Sequence, residues 1–476
     1  MSGDFLRRSL CWLAPLLAAV GAVPAAAQLP APPLLRAIYS ELVGIDTSDL
    51  SGDTTRAAEA MAARLRAGGI APADVRVIVP PGGPKKGNLV ARLRGSGARK
   101  PLLLLAHIDT VNAIPESWRR NPFSLVEENG YFYGRGAADN KAMAAALVAI
   151  MIDLAQQNAR PDRDIILALT ADEEIIPSPF SGIEYLIRNH RALIDAELAL
   201  NEGGGGLLDA AGRPLYLGIQ AGEKVFQTYR LETTGPGGHS ARPLKDNAIY
   251  HLAAGLARLA QHDFPPALLP VTRSYFERAA GFETAAVAAD MKAILQDPPD
   301  AQALARLSAM PRFNALLRTT CVATMLDAGQ ATNALPQRAR AVVNCRVLPG
   351  EAVDEVHRTL VRVLANERIA VKPDGEAVLS PPPPLTPEIM GAVTAAAADL
   401  WPGVPVVPTL SAGATDGRFL ANIGIPTYGV TGQFRDADGG GVHGLNERLR
   451  VQSFYEGHRF LDRLVRALAG VRPGSP

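Results

Sequence analysis

The chain has 476 residues, 47% of them hydrophobic, enough to bury the cores of two or three domains and too apolar for a disordered polypeptide. Its 48 basic and 47 acidic residues leave a formal net charge of +1, so no global field draws it to nucleic acid or to an anionic membrane surface. Whatever it binds is selected locally.

The first residues read as an export signal. Arg7 and Arg8 precede the apolar LCWLAPLLAAVGAV, and Ala25, Ala26 and Ala27 offer small residues for cleavage before Gln28. That stretch falls short of the roughly 20 residues a membrane helix needs. The expectation is therefore loss of residues 1–27 and a location outside the cytoplasm, periplasmic or secreted, with no stable membrane span. A retained N-terminal anchor is the alternative.

After the proline-rich LPAPPLL, residues 54–67 carry apolar positions at helical spacing and stop at Gly68 and Gly69. NLVARLRG and PLLLLAHID then read as strands, KAMAAALVAIMIDLAQQ as a buried helix, and DIILALTADEE and AELALNEGG as two more strands. Apolar strands separated by helices predict an α/β domain over residues 28–220, its sheet mostly parallel and covered by helices. From residue 221 the pattern changes. KVFQTYRLETTG alternates like a half-exposed strand, DNAIYHLAAGLARLAQ reads as a helix, and further strands bracket residues 331–336. This predicts a smaller α+β domain over 221–366 with one open sheet face and a polar, helical insertion near 266–316. PDGEAVLSPPPPLTPE marks a loop-rich return, and residues 367–476 resume strand and helix signals of the first domain. Cys321 and Cys345 sit in strand-like RTTCVATML and ARAVVNCRVL. In an oxidising compartment they pair, and otherwise they are two buried thiols. Without CxxC spacing neither reads as a nucleophile or a zinc ligand.

The chemistry gathers where strands end. LLLLAHID, ILALTADEE and LALNEGGGG each deliver His, Asp or Glu as an apolar strand gives out, and GRGAADNK does so ahead of a helix. A glycine-rich loop, GGGVHGLNE, adds His443. In a parallel sheet the ligand crevice lies outside the carboxyl ends of the strands. Carboxylates crowded there repel one another unless a cation neutralises them. His107, Asp139, Glu174, Glu202 and His443 offer imidazole and carboxylate without thiolate, a set for one or two divalent ions: zinc first, with manganese or cobalt accommodated. Taken singly, a strand-end acid is a turn residue and a histidine is packed or solvated. Five together are a metal site. His190, His251, His262, His357 and His458 fall on helical stretches or their ends and read as structural. Gly203 to Gly206 read as a flexible turn, and Lys85 with Lys86 is too short a basic run for nucleic acid.

The stretches AHIDTV, GRGAADNKAM, ADEE, NEG, TTGPGGHSARP, TNALPQRARAVVNCRVLPG, SAGATDGRF and VHGLNE run in order from residue 106 to 447. Together they resemble the M20 metallopeptidases, the group of glutamate carboxypeptidase, succinyl-diaminopimelate desuccinylase, aminoacylase and carboxypeptidase S. The resemblance implies a zinc-exopeptidase-like catalytic domain in two chain segments and an inserted lid or dimerisation domain. It implies that His107 and Glu202 complete one metal site, Glu174 and His443 the other, and Asp139 bridges them. Asp109 would hydrogen-bond the second ring nitrogen of His107 and so fix its tautomer, and Glu173 would be the general base that moves a proton from water to the leaving nitrogen. His239, on the lid of a partner subunit in a homodimer, would stabilise the oxyanion. Arg346, Arg418 and Asn333, with Thr415 and Gly413 nearby, match positions that hold a substrate carboxylate or carbonyl. The implied reaction is hydrolysis of the amide of a peptidyl- or N-acyl-amino acid. The alternative, an aminoacylase-like or xenobiotic N-acyl amino acid hydrolase, uses the same metals and base. A periplasmic binding protein on the same fold would have no use for Glu173. One stretch departs from the pattern: EEIIPSPFSG delays with two prolines a glycine that relatives place sooner after the paired glutamates, on a loop that lines the crevice.

Overall fold

Every residue of strand Leu102–His107 is buried, because the strand lies in the middle of a ten-stranded sheet with helices on both faces. The computed structural model describes residues 32–471, so the export-signal reading lies outside the described residues. The side-chain period of two splits the apolar run between two cores. Leu102, Leu104 and Ala106 join a large cluster with helices Pro33–Gly44, Thr54–Ala67, Lys141–Gln156, Pro387–Ala398 and Val451–Leu468. Leu103 and Leu105 pack on the opposite side with residues of Gly182–Ile194 and Gly417–Asn422. A strand covered twice has no polar face, hence four consecutive leucines.

Four neighbouring strands at the centre run parallel: Ile165–Thr170, Leu102–His107, Leu198–Asn201 and Thr427–Gly429. Antiparallel pairings appear on both flanks, through Asn88–Leu93 on one side and Pro214–Glu223 on the other. Thr427–Gly429 comes from the C-terminal part of the chain, so the central sheet is completed after the second unit has been inserted. Helix Lys141–Gln156 is apolar all round and buried along almost its whole length, wedged between the sheet and neighbouring helices.

The second unit is an antiparallel sheet in the order Thr320–Ala328, Arg338–Val347, Val225–Thr234, Ala370–Asp374. Helices Ala248–Ala260 and Val353–Leu364 cover one face through Leu252, Leu259, Val356 and Leu360. Its fourth strand lies beyond residue 366, where the sequence pattern ends the unit, because AVKPD is short, half polar and carries a proline. Cys321 and Cys345 face each other on neighbouring strands and form a disulfide, which decides between the two readings of these residues.

The helical insertion has a core of its own around Phe276, Met291, Leu307 and Phe313. It does not belong to the lid alone. Helix Pro270–Ala279 lies against strand Val406–Ser411 of the large sheet, where Arg278 Nη1 donates to the Val406 carbonyl at 2.8 Å. Lys224, fully buried at the crossing between the two sheets, donates to the carbonyls of Ala315 at 3.1 Å and Arg318 at 2.8 Å and to the Thr320 hydroxyl at 3.2 Å. The run Gly203 to Gly206 is no flexible turn. Its second half opens the buried strand Gly205–Leu208, and a Cβ at Gly204 would stand 2.5 Å from the carbonyl oxygens of Gly218 and Gly429.

Candidate metal centre

The parallel strands bring their carboxyl ends to one crevice, and the acids predicted from strand ends meet there. His107 closes its strand with Nε2 3.1 Å from Asp139 Oδ1 and 3.4 Å from Glu202 Oε2. His443 Nε2 lies 2.9 Å from Glu174 Oε1 and 3.3 Å from Asp139 Oδ2. The two oxygens of Asp139 thus face two different histidines. His107, Asp139 and Glu202 offer ligand atoms within 4.8 Å of one another, as do Asp139, Glu174 and His443. Glu173 belongs to a third such group with His107 and Glu174, is buried, and forms no ion pair with either histidine.

The electrostatics explain why such a set requires positive charge. Burial pushes the Glu202 carboxyl up, and it pushes Glu173 well up, with Glu202 as the next contributor. Burial opposes the charge on His107, but Glu202 and the other carboxylates outweigh it and raise its pKa well above the usual value. Hydrogen bonds to Asp139 and Glu174 raise His443 to about 10. Asp139 is buried too, yet its bonds to the two histidines hold it below the usual carboxylate range. Two imidazoles driven to protonation do not balance four carboxylates. Divalent cations would replace those protons, leave the imidazoles free to ligate and supply the missing charge, so the donor set fits them.

Three further acids organise the loops around the site, and the sequence reading assigns none of them a role. Glu447, fully buried, accepts the backbone N–H groups of Gly136 at 3.1 Å, Ala138 at 2.7 Å and Asp139 at 3.0 Å. Arg135 binds the same carboxylate at 2.7 Å and donates to the Gly444 carbonyl at 2.9 Å, which ties the Asp139 loop to the loop carrying His443. Asp416 accepts the Thr170 hydroxyl at 2.7 Å at the end of the strand next to His107, and burial raises its pKa to about 7. Glu223, buried, accepts the N–H of Thr415 at 2.9 Å and its hydroxyl at 3.1 Å, holding the segment that leads to Arg418. Glu447 and Asp416 had a signal, their places in VHGLNE and SAGATDGRF, and Glu223 had none.

Asp109 does more than orient His107. Its carboxylate accepts the backbone N–H of Glu173 at 3.2 Å and of Glu174 at 3.0 Å, while His107 Nδ1 lies 3.1 Å from the Asp109 carbonyl and 3.4 Å from its carboxylate. Arg418 is 8% exposed, stacks on Phe419 and has a buried Nη1 without a partner. Arg346 stacks on Phe226 and donates to Asn344 Oδ1, and burial, then the charge of Arg418, lower its pKa. His239 and Asn333 are exposed. They lie at the pairing of Gly238–His239 with Ala334–Leu335, and among the described residues they make no hydrogen bond to the carboxylate cluster. Gly413 is also exposed. Of the other histidines, His251 pairs with Asp246 and His357 stacks on Tyr229, away from the cluster.

Residues 103–467 match the sequence profile of peptidase family M20/M25/M40. The mouse (Mus musculus) N-fatty-acyl-amino acid synthase/hydrolase PM20D1 is 30% identical over 378 residues, covering 77% of this chain and 74% of that protein. Among solved structures, the fold is shared with the M20 family metallo-carboxypeptidase Sso-CP2 from Sulfolobus solfataricus, with a TM-score of 0.69 at 20% identity over 93% of this chain and 100% of the other. It is shared also with Bacillus subtilis YXEP, described as a dinuclear metal binding peptidase, with a TM-score of 0.60 at 13% identity over 92% and 98% of the two chains. The chain belongs to the M20/M25/M40 family of peptidases.

Proposed function

We propose that this chain, a hydrolase of that family, is an exported, dinuclear metal-dependent amidohydrolase that cleaves the amide of an N-acyl- or peptidyl-amino acid and releases the amino acid. The observation that carries this reading is the placement of Asp139, with one carboxylate oxygen toward His107 and the other toward His443. His107 with Glu202 and Glu174 with His443 would hold two ions on either side of it, zinc first, with cobalt or manganese able to serve. Bound there, the cations supply Lewis acidity toward the substrate carbonyl and lower the pKa of bound water.

The chain's own residues do the rest. Glu173, buried beside the ligands and paired to neither histidine, takes the proton of the attacking water and returns it to the leaving nitrogen. Arg346 and Arg418, neither in an ion pair with a carboxylate among the described residues, bind the substrate carboxylate, with Asn333 beside the carbonyl. An N-acyl amino acid is favoured over a peptide by the likeness to PM20D1, whose name gives N-fatty-acyl amino acids as its substrates. The exposed His239 is assigned the oxyanion role from another copy. A homodimer through the exposed edge strand Thr320–Ala328 would bring in His239 of the partner subunit.

The test is amine release from N-acyl amino acids and dipeptides, each paired with its C-terminal carboxamide. The expected result is hydrolysis of the free carboxylates alone, abolished by chelation and restored by zinc, cobalt or manganese. Equal cleavage of the carboxamides would remove the arginine anchor, and hydrolysis indifferent to thorough chelation would remove the metals.

A further inference from the structure

A cavity of about 120 Å³ opens beside Arg418, and apolar side chains share its wall with three buried charged groups, Arg418, Asp172 and Asp416. Ile175, Ile176 and Pro177 form one side, directly after Glu174 in the chain, and Phe226, Val378 and Phe419 close around them. These first three residues lie in the stretch that departs from the family pattern. The acids that reach the cavity are already engaged. Asp172 is bound by Lys86 and by the Ser178 hydroxyl, both at 2.7 Å, Glu184 pairs with Arg188, and Asp416 accepts from Thr170. Glu376 lies exposed at the rim. Among the described residues that line the cavity, Arg418 alone has a buried donor without a partner.

Glu223 and Asp416 offset the charge of Arg418 in part, but among the described residues neither forms an ion pair with it, so its buried, unpartnered donor is left for an anion that arrives with the ligand. What is attached to that anion then meets isoleucine, valine, proline and phenylalanine. In an α-amino acid the carbon that carries the carboxylate also carries the side chain, so a carboxylate on Arg418 delivers its side chain to this wall. An apolar cavity of about 150 Å³ accepts benzene, so about 120 Å³ open at one side suits an isobutyl or phenyl group.

We propose that this cavity receives the side chain of the amino acid that the enzyme releases, and that N-acyl derivatives of branched aliphatic and aromatic amino acids are its preferred substrates. The proposal rests on the reading of Arg418 as the carboxylate anchor. Ile175, Ile176, Pro177 and Val378 are then specificity-determining residues, while Phe226 and Phe419 also support the two arginines.

The experiment uses the full, zinc-loaded protein and N-acyl derivatives of Ala, Leu, Phe, Asp and Lys, in an acetyl and a dodecanoyl series, each with its carboxamide. The kcat/KM of the Leu and Phe compounds should exceed that of the Ala compound about tenfold or more, the range a few methylenes contribute in an apolar pocket. Ile176→Asp, at a position 46% exposed and so tolerant of the change, should bring Leu and Phe down toward Ala. Val378→Asp should do the same from the opposite wall. A flat profile with the carboxylate requirement intact, a preference for Asp or Lys, or unchanged ratios in both variants overturns the proposal and leaves the proposed function standing. Equal cleavage of the carboxamides, or no turnover of any compound, overturns both.

Discussion

Asp109 shows how much one side chain of the site contributes beyond its sequence signal. Its spacing from His107 suggests an orienting acid, but its carboxylate binds the N–H groups of Glu173 and Glu174, so it sets the backbone of both glutamates. The two glutamates then divide in role: Glu174 faces His443, and Glu173 stays free of both histidines. Replacing Glu173 by glutamine preserves shape and removes the basic oxygen. Turnover of Glu173→Gln should fall by about 10²- to 10⁴-fold, the usual share of a general base, while metal content per chain stays at the wild-type value. Full turnover in this variant would place the base elsewhere. His107, Asp139, Glu174, Glu202 and His443 were readable because an apolar strand or a glycine-rich loop announces each. The roles of Glu447, Glu223 and Asp416 were not, although Glu447 and Asp416 stand in quoted motifs, since their partners are N–H and hydroxyl groups far away in sequence, as with Glu447 and Asp139.

At the scale of elements, the insertion near 266–316 differs most from its sequence reading. Its helices are short, and Pro270–Ala279 and Ala301–Ser308 are amphipathic, which shows that they need a partner without naming one. The structure seats Pro270–Ala279 on the catalytic strand Val406–Ser411 and uses Lys224 to join the insertion to the lid strand. Burial, then the charge of Arg346, lowers the Lys224 pKa from 10.5 to about 7. The sign follows directly: between about 7 and 10.5 the unfolded chain binds the proton that folded Lys224 releases, so stability rises with pH across that window and is level below it. Lys224→Met removes this term. Thermal unfolding of the variant should show a flatter rise than the wild type between pH 7 and pH 10, and an unchanged slope would mean that Lys224 stays charged in the folded state. The glycines after Glu202 teach the same lesson from the opposite side, because composition reads as flexibility what close backbone packing requires.

For the molecule as a whole, the lid sheet leaves an edge. Val322, Met325 and Leu326 are 61%, 68% and 68% exposed on Thr320–Ala328, the kind of edge that proteins normally pair or cover. In the proposed homodimer a second copy covers it. The double change Met325→Asp with Leu326→Asp should give a monomer in sedimentation experiments and lower turnover to the level of His239→Ala. A wild-type protein that is monomeric and fully active would overturn the dimer and the role of His239 together. The amino-acid sequence by itself determined the α/β class, the doubly covered strand Leu102–His107, the metal-ligand candidates and the family resemblance. Each of these is written in local periodicity or in a motif a few residues long. Only the tertiary structure decided which carboxylate faces which histidine, that the two cysteines are joined, that the insertion touches the catalytic sheet, and that an apolar cavity adjoins Arg418. Those facts depend on groups brought together from distant parts of the chain, and no local pattern encodes which distant neighbour a side chain will meet.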